Sequence, residues 1–386
     1  MKESMKWVLQ HFPDSDAEEV IRDTQKMIQA KSYNPPGDET RVAEFAAKRL
    51  REAGFDVEVD EFEKNRCNVI ATYGNKDDIA LILNGHMDVV PAFGKWEYPP
   101  DQGLRKDGIL HGRGSCDMLG GIAAILRAAS IIGREKINPK RGVMVLLVSD
   151  EEDVNRGIRH ILATRKIKAD AAVIAEPTSC EIHLGNKGYS SFYIDTEGVG
   201  CHTSKPWEGV NAIYKMGHVI EKFEIYAENL KNVTNPYLGQ ATACIGTIHG
   251  GVRVNTVPDK CTVEAERRLL PGETIEQLRK EIQDVAGEEA TVRDRSFFQA
   301  SLIDIDNPLV KNCQAGLEVL LKKAATISVF TACSEASMFS VKCNIPTILL
   351  GPGSIKYAHR VDEFCPENEI VLCAKLFTGL IYESIH

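Results

Sequence analysis

Apolar residues recur along this chain with two periods, and the switch between the periods marks out the elements. Val20, Ile21, Met27 and Ile28, then Val42, Phe45, Ala46 and Leu50, return at helical spacing, which predicts amphipathic helices over 15–31 and 39–53. Asn34-Pro35-Pro36-Gly37 breaks the chain between them. Short apolar runs at 55–59, 68–72 and 79–83 predict strands, and the small apolar stretch 120–132 predicts a helix packed closely on a sheet. The run 143–148 has no polar alternation, as expected of a central strand covered on both faces, and 171–174 repeats the pattern. Strands alternating with helices in this way imply an α/β sheet with helices on both sides.

Near Gly188 the pattern changes. Residues 190–196, 242–249 and 260–269 alternate apolar and polar, while 211–223 and 275–286 carry helical spacing. Two helices and about four alternating strands predict a separate α+β domain with one exposed sheet face. Beyond Asp304, helix–strand alternation resumes at 307–323, 326–330 and 346–350, with a last helix from about Pro366. The expected architecture is a three-layer α/β/α domain, 1–187 with 302–386, interrupted by an inserted α+β domain at 188–301, an ordinary domain size.

Composition removes several functions. With 386 residues, 43% hydrophobic and 26% charged, the chain can bury large cores. Its net charge of −9 argues against nucleic-acid binding through a basic surface. No run of about 18 apolar residues occurs, so no membrane span is expected. Residues 1–12 lack the basic, apolar and small segments of a signal peptide. The eleven cysteines form no CxxC pair. They are expected as reduced thiols in a cytoplasm, mostly buried as small hydrophobes.

The chemistry-bearing residues cluster where strands should end, and ligands of open α/β sheets sit beyond the carboxyl ends of the strands. Asn84-Gly85-His86-Met87-Asp88 follows the 79–83 strand, which makes His86 a candidate metal ligand and Asp88 the group that holds its imidazole. Gly112-Arg113-Gly114-Ser115-Cys116-Asp117 leads into a helix. It lacks both the Gly-Lys-Ser/Thr of a phosphate loop and the third glycine of a dinucleotide fingerprint. An acid there suits a cation, and Asp117 could bridge two; Cys116 has no Cys–His signature that would mark a nucleophile. Ser149-Asp150-Glu151-Glu152-Asp153 follows the buried 143–148 run, so some of its acids enter the cleft, Glu152 as a ligand and Glu151 as a general base. Glu176, after 171–174, and His359, downstream of Gly351-Pro352-Gly353, complete the ligand candidates. Imidazole and carboxylate donors suit zinc, with cobalt or manganese as alternatives. Two such ions about 3.5–4 Å apart can activate water and polarise an amide carbonyl. Each motif alone could be a solvated loop or a helix cap; together they indicate a two-metal amide hydrolase. The reading from another class is a binding protein that kept the fold without catalysis, but none of the ligands, nor Glu151, is missing.

In this order, Gly-His-x-Asp, Gly-Arg-Gly-x-x-Asp-Met-x-Gly-Gly, Glu-Glu, Glu-Pro-Thr and Ala-His-x-x-Asp-Glu resemble the zinc amidohydrolase family that includes acetylornithine deacetylase, succinyl-diaminopimelate desuccinylase, aminoacylase and carboxypeptidase G. The resemblance covers essentially the whole chain. It implies that His86 and Glu176 hold one ion, that Glu152 and His359 hold the other, and that Asp117 bridges them. It further implies Glu151 as general base, Asp88 as the orienter of His86, and a cis peptide after Asp117. Gly198-Val199-Gly200-Cys201-His202-Thr203-Ser204-Lys205-Pro206 is similar to the family's lid. That implies a homodimer through the inserted domain, with His202 reaching the partner subunit's active site to stabilise the oxyanion. The segments around Asn255 and Arg268 resemble the substrate-holding part of the lid, which implies a grip on the product's α-carboxylate. Cys333-Ser334-Glu335-Ala336 and Leu350-Gly351-Pro352-Gly353-Ser354-Ile355 are similar to the acetylornithine deacetylase branch, and the Thr-Ser-Asp-Gly of the desuccinylase branch is absent. The expected substrate is therefore a small N-acyl amino acid, N-acetylornithine first, with N-succinyl-diaminopimelate or a small peptide as alternatives. Glu335 could pair with a substrate side-chain amine, or could simply open a helix after a Ser334 N-cap.

Overall fold

In the computed structural model, which describes residues 1–386, the apolar run at 143–148 becomes strand Gly142–Val148 within a nine-stranded sheet. Strand Arg66–Tyr73 flanks it antiparallel and strand Ile79–His86 flanks it parallel. Strands Ala171–Ile174 and Thr347–Leu349 continue the parallel part. Val143, Val145 and Leu147 join Leu81, Leu83 and Val173 in one core with helices Leu119–Arg134 and Glu367–Ile385. Ile82, Leu146 and Ile174 point the other way by strand alternation and are buried too, which is why the sequence shows no polar period there.

Register decides which side chains share the sheet's carboxyl edge. His86 lies opposite Val148, and Asn84 opposite Ile174. Two residues past Ile174, Glu176 is therefore level with His86, and the acidic run begins one residue past Val148. Leu349 is opposite Ile174, so Gly351 emerges at the same edge ahead of the loop that carries His359. Helix Leu119–Arg134 presses directly on this edge. A Cβ on Gly121 would stand 2.4 Å from the Ala175 carbonyl, so only glycine permits the approach.

By contact density the chain forms two units: residues 1–185, 302–329 and 334–386, and residues 186–301 with 330–333. In the second unit, strands Thr242–Gly250, Lys260–Leu269, Gly188–Glu197 and Ala290–Phe298 form an antiparallel sheet in that spatial order. Phe192, Ile194, Val263 and Ala265 pack on Met216, Val219, Phe223, Leu278 and Ile282 of helices Ala212–Asn229 and Ile275–Ala286. Tyr193, Asp195, Glu264 and Glu266 alternate onto the other face, where none is buried.

Several elements carried too little apolar signal to stand out in the sequence. Helix Lys2–His11 buries only Ser4, Met5 and Val8, and helix Arg156–Thr164 only Gly157, Ile158 and Ile161. No helix is long and apolar enough to cross a membrane. All eleven cysteines are free, and most are buried.

Candidate metal centre

His86 closes its strand with the imidazole buried. Nδ1 lies 2.8 Å from the Asp88 backbone carbonyl, which can only accept, so Nδ1 carries a proton and Nε2 is the nitrogen left to meet a cation. Nε2 faces Asp117 Oδ1 at 3.1 Å. The other oxygen, Asp117 Oδ2, is 3.4 Å from Nε2 of the half-exposed His359, and that nitrogen is 2.9 Å from Glu152. Asp117 thus turns one oxygen to each imidazole, as a bridging ligand must. Donor atoms of His86, Asp117 and Glu152 lie within 4.8 Å of one another. Glu176 is buried at the same edge, where its charge acts on His86, but no hydrogen bond joins them. Glu151 is held through its backbone N–H, 3.1 Å from Asp88 Oδ1, which leaves its carboxylate unpaired. The Asp117–Met118 peptide is cis.

The protein groups alone demand positive charge here. Burial would depress His86, yet Asp117, Glu151 and Glu176 hold it well above the usual imidazole range. Asp117 and Glu152 push His359 up to about 11. Burial lifts Glu151 and Glu176 well above the carboxylate range, against the pull of His86. Imidazoles that keep protons this tightly, among acids this crowded, mark a site that divalent cations would relieve. The nitrogen and oxygen donors fit zinc, cobalt or manganese.

The support differs from expectation at Asp88. Its carboxylate lies 3.8 Å from His86 Nδ1 and makes no hydrogen bond to it. Instead it accepts from the N–H groups of Glu151 and Glu152, each at 3.1 Å, and from Asn34 Nδ2 at 2.8 Å. Asp88 therefore aims the imidazole with its main chain and the two glutamates with its side chain. Two further acids matter, Glu363 and Asp150, which the sequence shows only as members of the Ala-His-x-x-Asp-Glu and 149–153 motifs. Glu363 is buried, and its Oε1 accepts from the N–H groups of Gly114, Cys116 and Asp117 at 3.0, 2.9 and 3.1 Å. Its Oε2 pairs with buried Arg113. Asp150 accepts from Arg156 Nε at 2.9 Å and from Asn34 at 3.1 Å, and so fixes the turn that carries Glu151 and Glu152.

Three expected site residues lie in the second unit. His202 is exposed; the Ser204 N–H donates to its Nδ1 at 3.1 Å, so the ring proton is left on Nε2. Asn255 is exposed in the loop that pairs with the His202 segment through the His202–Thr256 bridge. Arg268 forms an ion pair with Glu266 at 2.7 Å and lies over the Tyr189 ring. One chain does not bring these last two together. The Asn255 loop enters strand Lys260–Leu269 at Lys260, and Arg268 stands eight residues further along, roughly 25 Å away at strand spacing.

Imidazoles and carboxylates gathered at the carboxyl edge of an α/β sheet define a metal-dependent hydrolase centre. The model of peptidase family M20/M25/M40 matches residues 82–383, and the chain belongs to that family. It is a metal-dependent amidohydrolase. It is 32% identical, over 352 residues, to the acetylornithine deacetylase of Photorhabdus laumondii subsp. laumondii, covering 87% of this chain and 88% of that one. The fold is similar to aminopeptidase PepT from Bacillus cereus, with TM-score 0.76, 20% identity, and 96% and 99% of the two chains covered. It is also similar to a dinuclear metal binding peptidase of the M20 family from Bacillus subtilis, with TM-score 0.70, 15% identity, and 97% and 99% covered.

Proposed function

We propose that the protein removes the acyl group from a small N-acyl-L-amino acid, N-acetylornithine first, using two divalent ions, zinc first. The observation that carries this reading is Asp117, turned with one oxygen toward each imidazole beside the unpaired carboxylate of Glu151. His86 and Glu176 would hold one ion, Glu152 and His359 the other, and Asp117 both. Bound there, the ions would supply the charge that acidifies water and polarises an amide carbonyl. Glu151 takes a proton from the attacking water and returns it to the leaving nitrogen. His202, with its proton on Nε2, donates to the carbonyl oxygen as charge builds there.

His202 acts in this reading across a homodimer. The lid sheet leaves one edge of strand Thr242–Gly250 unpaired, and Ile248, Tyr214 and Ile225 are exposed at 51%, 73% and 63%. A second copy would cover such a surface. Asn255 and Arg268, at opposite ends of one lid sheet, would then grip a single α-carboxylate from two copies. His202→Ala is expected to lower kcat by about 10²–10³-fold with unchanged metal content. Wild-type turnover in that variant would remove His202 from the site.

Glu335 supports a cationic substrate side chain. It is buried, neither carboxylate oxygen accepts a well-formed hydrogen bond, and Asn84 lies beside it. Burial, with Asp88 adding to it, pushes it up to about 8 against the pull of His86. A buried acid in this condition gains from an ammonium partner. Glu335→Gln is expected to raise KM for N-acetylornithine well above any change for N-acetylmethionine; equal losses on both would assign Glu335 a structural role only. The whole reading is tested by kcat/KM on N-acetylornithine, N-succinyl-diaminopimelate, N-acetylmethionine and dipeptides, with zinc and with cobalt. N-acetylornithine is expected to lead, and failure to deacetylate any acetylated compound overturns the proposal.

A further inference from the structure

Away from the metal centre, positive charge is concentrated in one concave place. A groove of about 580 Å³ is walled on one side by the end of helix Arg156–Thr164 and the segment after it. The opposite wall is the π-helical turn Met338–Lys342 with Cys343. Arg159, Arg165, Lys166, Lys168 and Lys342 line it, and no acid does. Buried Ile167 and Met338 give it an apolar floor. Its volume is that of a small-molecule site.

Arg165 is paired with Glu58 at 2.6 Å, whereas Lys166, Lys168 and Lys342 form no ion pair. These ammonium groups repel one another, in a chain whose net charge of −9 leaves acids plentiful elsewhere. We infer that the groove binds a small oxyanion with two or more negative charges, a phosphate ester or bisphosphate in class. The overall negative charge repels long polyanions that would extend past the groove.

Both walls lead back to the metal centre. Helix Arg156–Thr164 is tied at its start to Asp150, which accepts from the Arg156 N–H at 3.0 Å and directly precedes Glu151 and Glu152. The π-helical turn begins just past Glu335, whose carbonyl accepts from the Met338 N–H at 2.8 Å. Single π-turns are frequent at functional sites. An anion that draws Lys342 toward Lys166 and Lys168 pulls the walls together and shifts the acids at their far ends. The groove is therefore an effector site, and this second step alone rests on the hydrolase reading above.

The test is calorimetric titration of the metal-loaded protein with fructose 1,6-bisphosphate, repeated on a variant carrying K166Q, K168Q and K342Q. All three lysines are exposed, so their replacement leaves the core intact. Saturable binding is expected in the wild type, weaker by roughly tenfold or more in the variant and weakened further by salt. No saturable binding, or equal binding to both proteins, overturns the site. On a substrate that the wild type hydrolyses, the saturating probe is expected to change kcat/KM by about twofold or more, with no change in the variant. Unchanged kinetics despite binding overturns the effector role. The calorimetric arm uses no substrate, so failure of the acyl-substrate proposal and failure of the anion site give different results.

Discussion

Glu151→Gln is expected to lower kcat on the preferred acylated substrate by about 10²–10⁴-fold while the protein keeps nearly all of its metal. The two adjacent glutamates look alike in sequence and differ in what holds them. Glu152 lies 2.9 Å from His359 and within 4.8 Å of the donor atoms of His86 and Asp117, which places its carboxylate in the proposed ion-holding set. Glu151 is fixed only through its backbone, and its carboxylate is free to carry a proton. Burial lifts it well above the usual range, which makes it a stronger base once ionised. Elemental analysis alongside steady-state kinetics separates the two roles. Loss of metal in proportion to activity would show that Glu151 is a ligand and that the roles are exchanged. Glu152→Gln is the converse control, in which metal is lost first.

Much of the site was legible because buried parallel strands read as unbroken apolar runs, and a polar residue straight after such a run must emerge at the sheet edge. That rule selects His86, the 149–153 acids and Glu176, and the register places them at one edge of the sheet. What could not be read was which atom of a residue does the holding. Asp88 reaches His86 through its carbonyl because its carboxylate satisfies two N–H groups of the acidic turn, a choice made by backbone direction rather than residue type. Arg113 and Glu363 are 250 residues apart, and nothing local says that one neutralises the other. Alternating patterns mark strand Lys260–Leu269, which carries Arg268, but not the loop geometry that puts Asn255 at its far end.

Glu363→Ala is expected to cost stability on the order of 3–5 kcal/mol, because it leaves Arg113 charged, buried and unpaired. It is expected to cost metal affinity as well, for a separate reason. Glu363 gathers the N–H groups of Gly114, Cys116 and Asp117 on one oxygen, and that gathering sets the backbone from which Asp117 turns its two oxygens to the two imidazoles. The two effects can be parted. Glu363→Gln keeps an acceptor for the N–H groups but weakens the Arg113 pair, so thermal unfolding should suffer more than metal retention under chelator competition. Replacing Arg113 by Met together with Glu363 by Leu removes the buried charges as a pair, which often restores stability. That double variant should regain much of its melting temperature while still losing metal, because three N–H groups remain without their acceptor. Full metal retention in the double variant would show that the loop holds its shape without Glu363, and that the buried pair serves the fold alone.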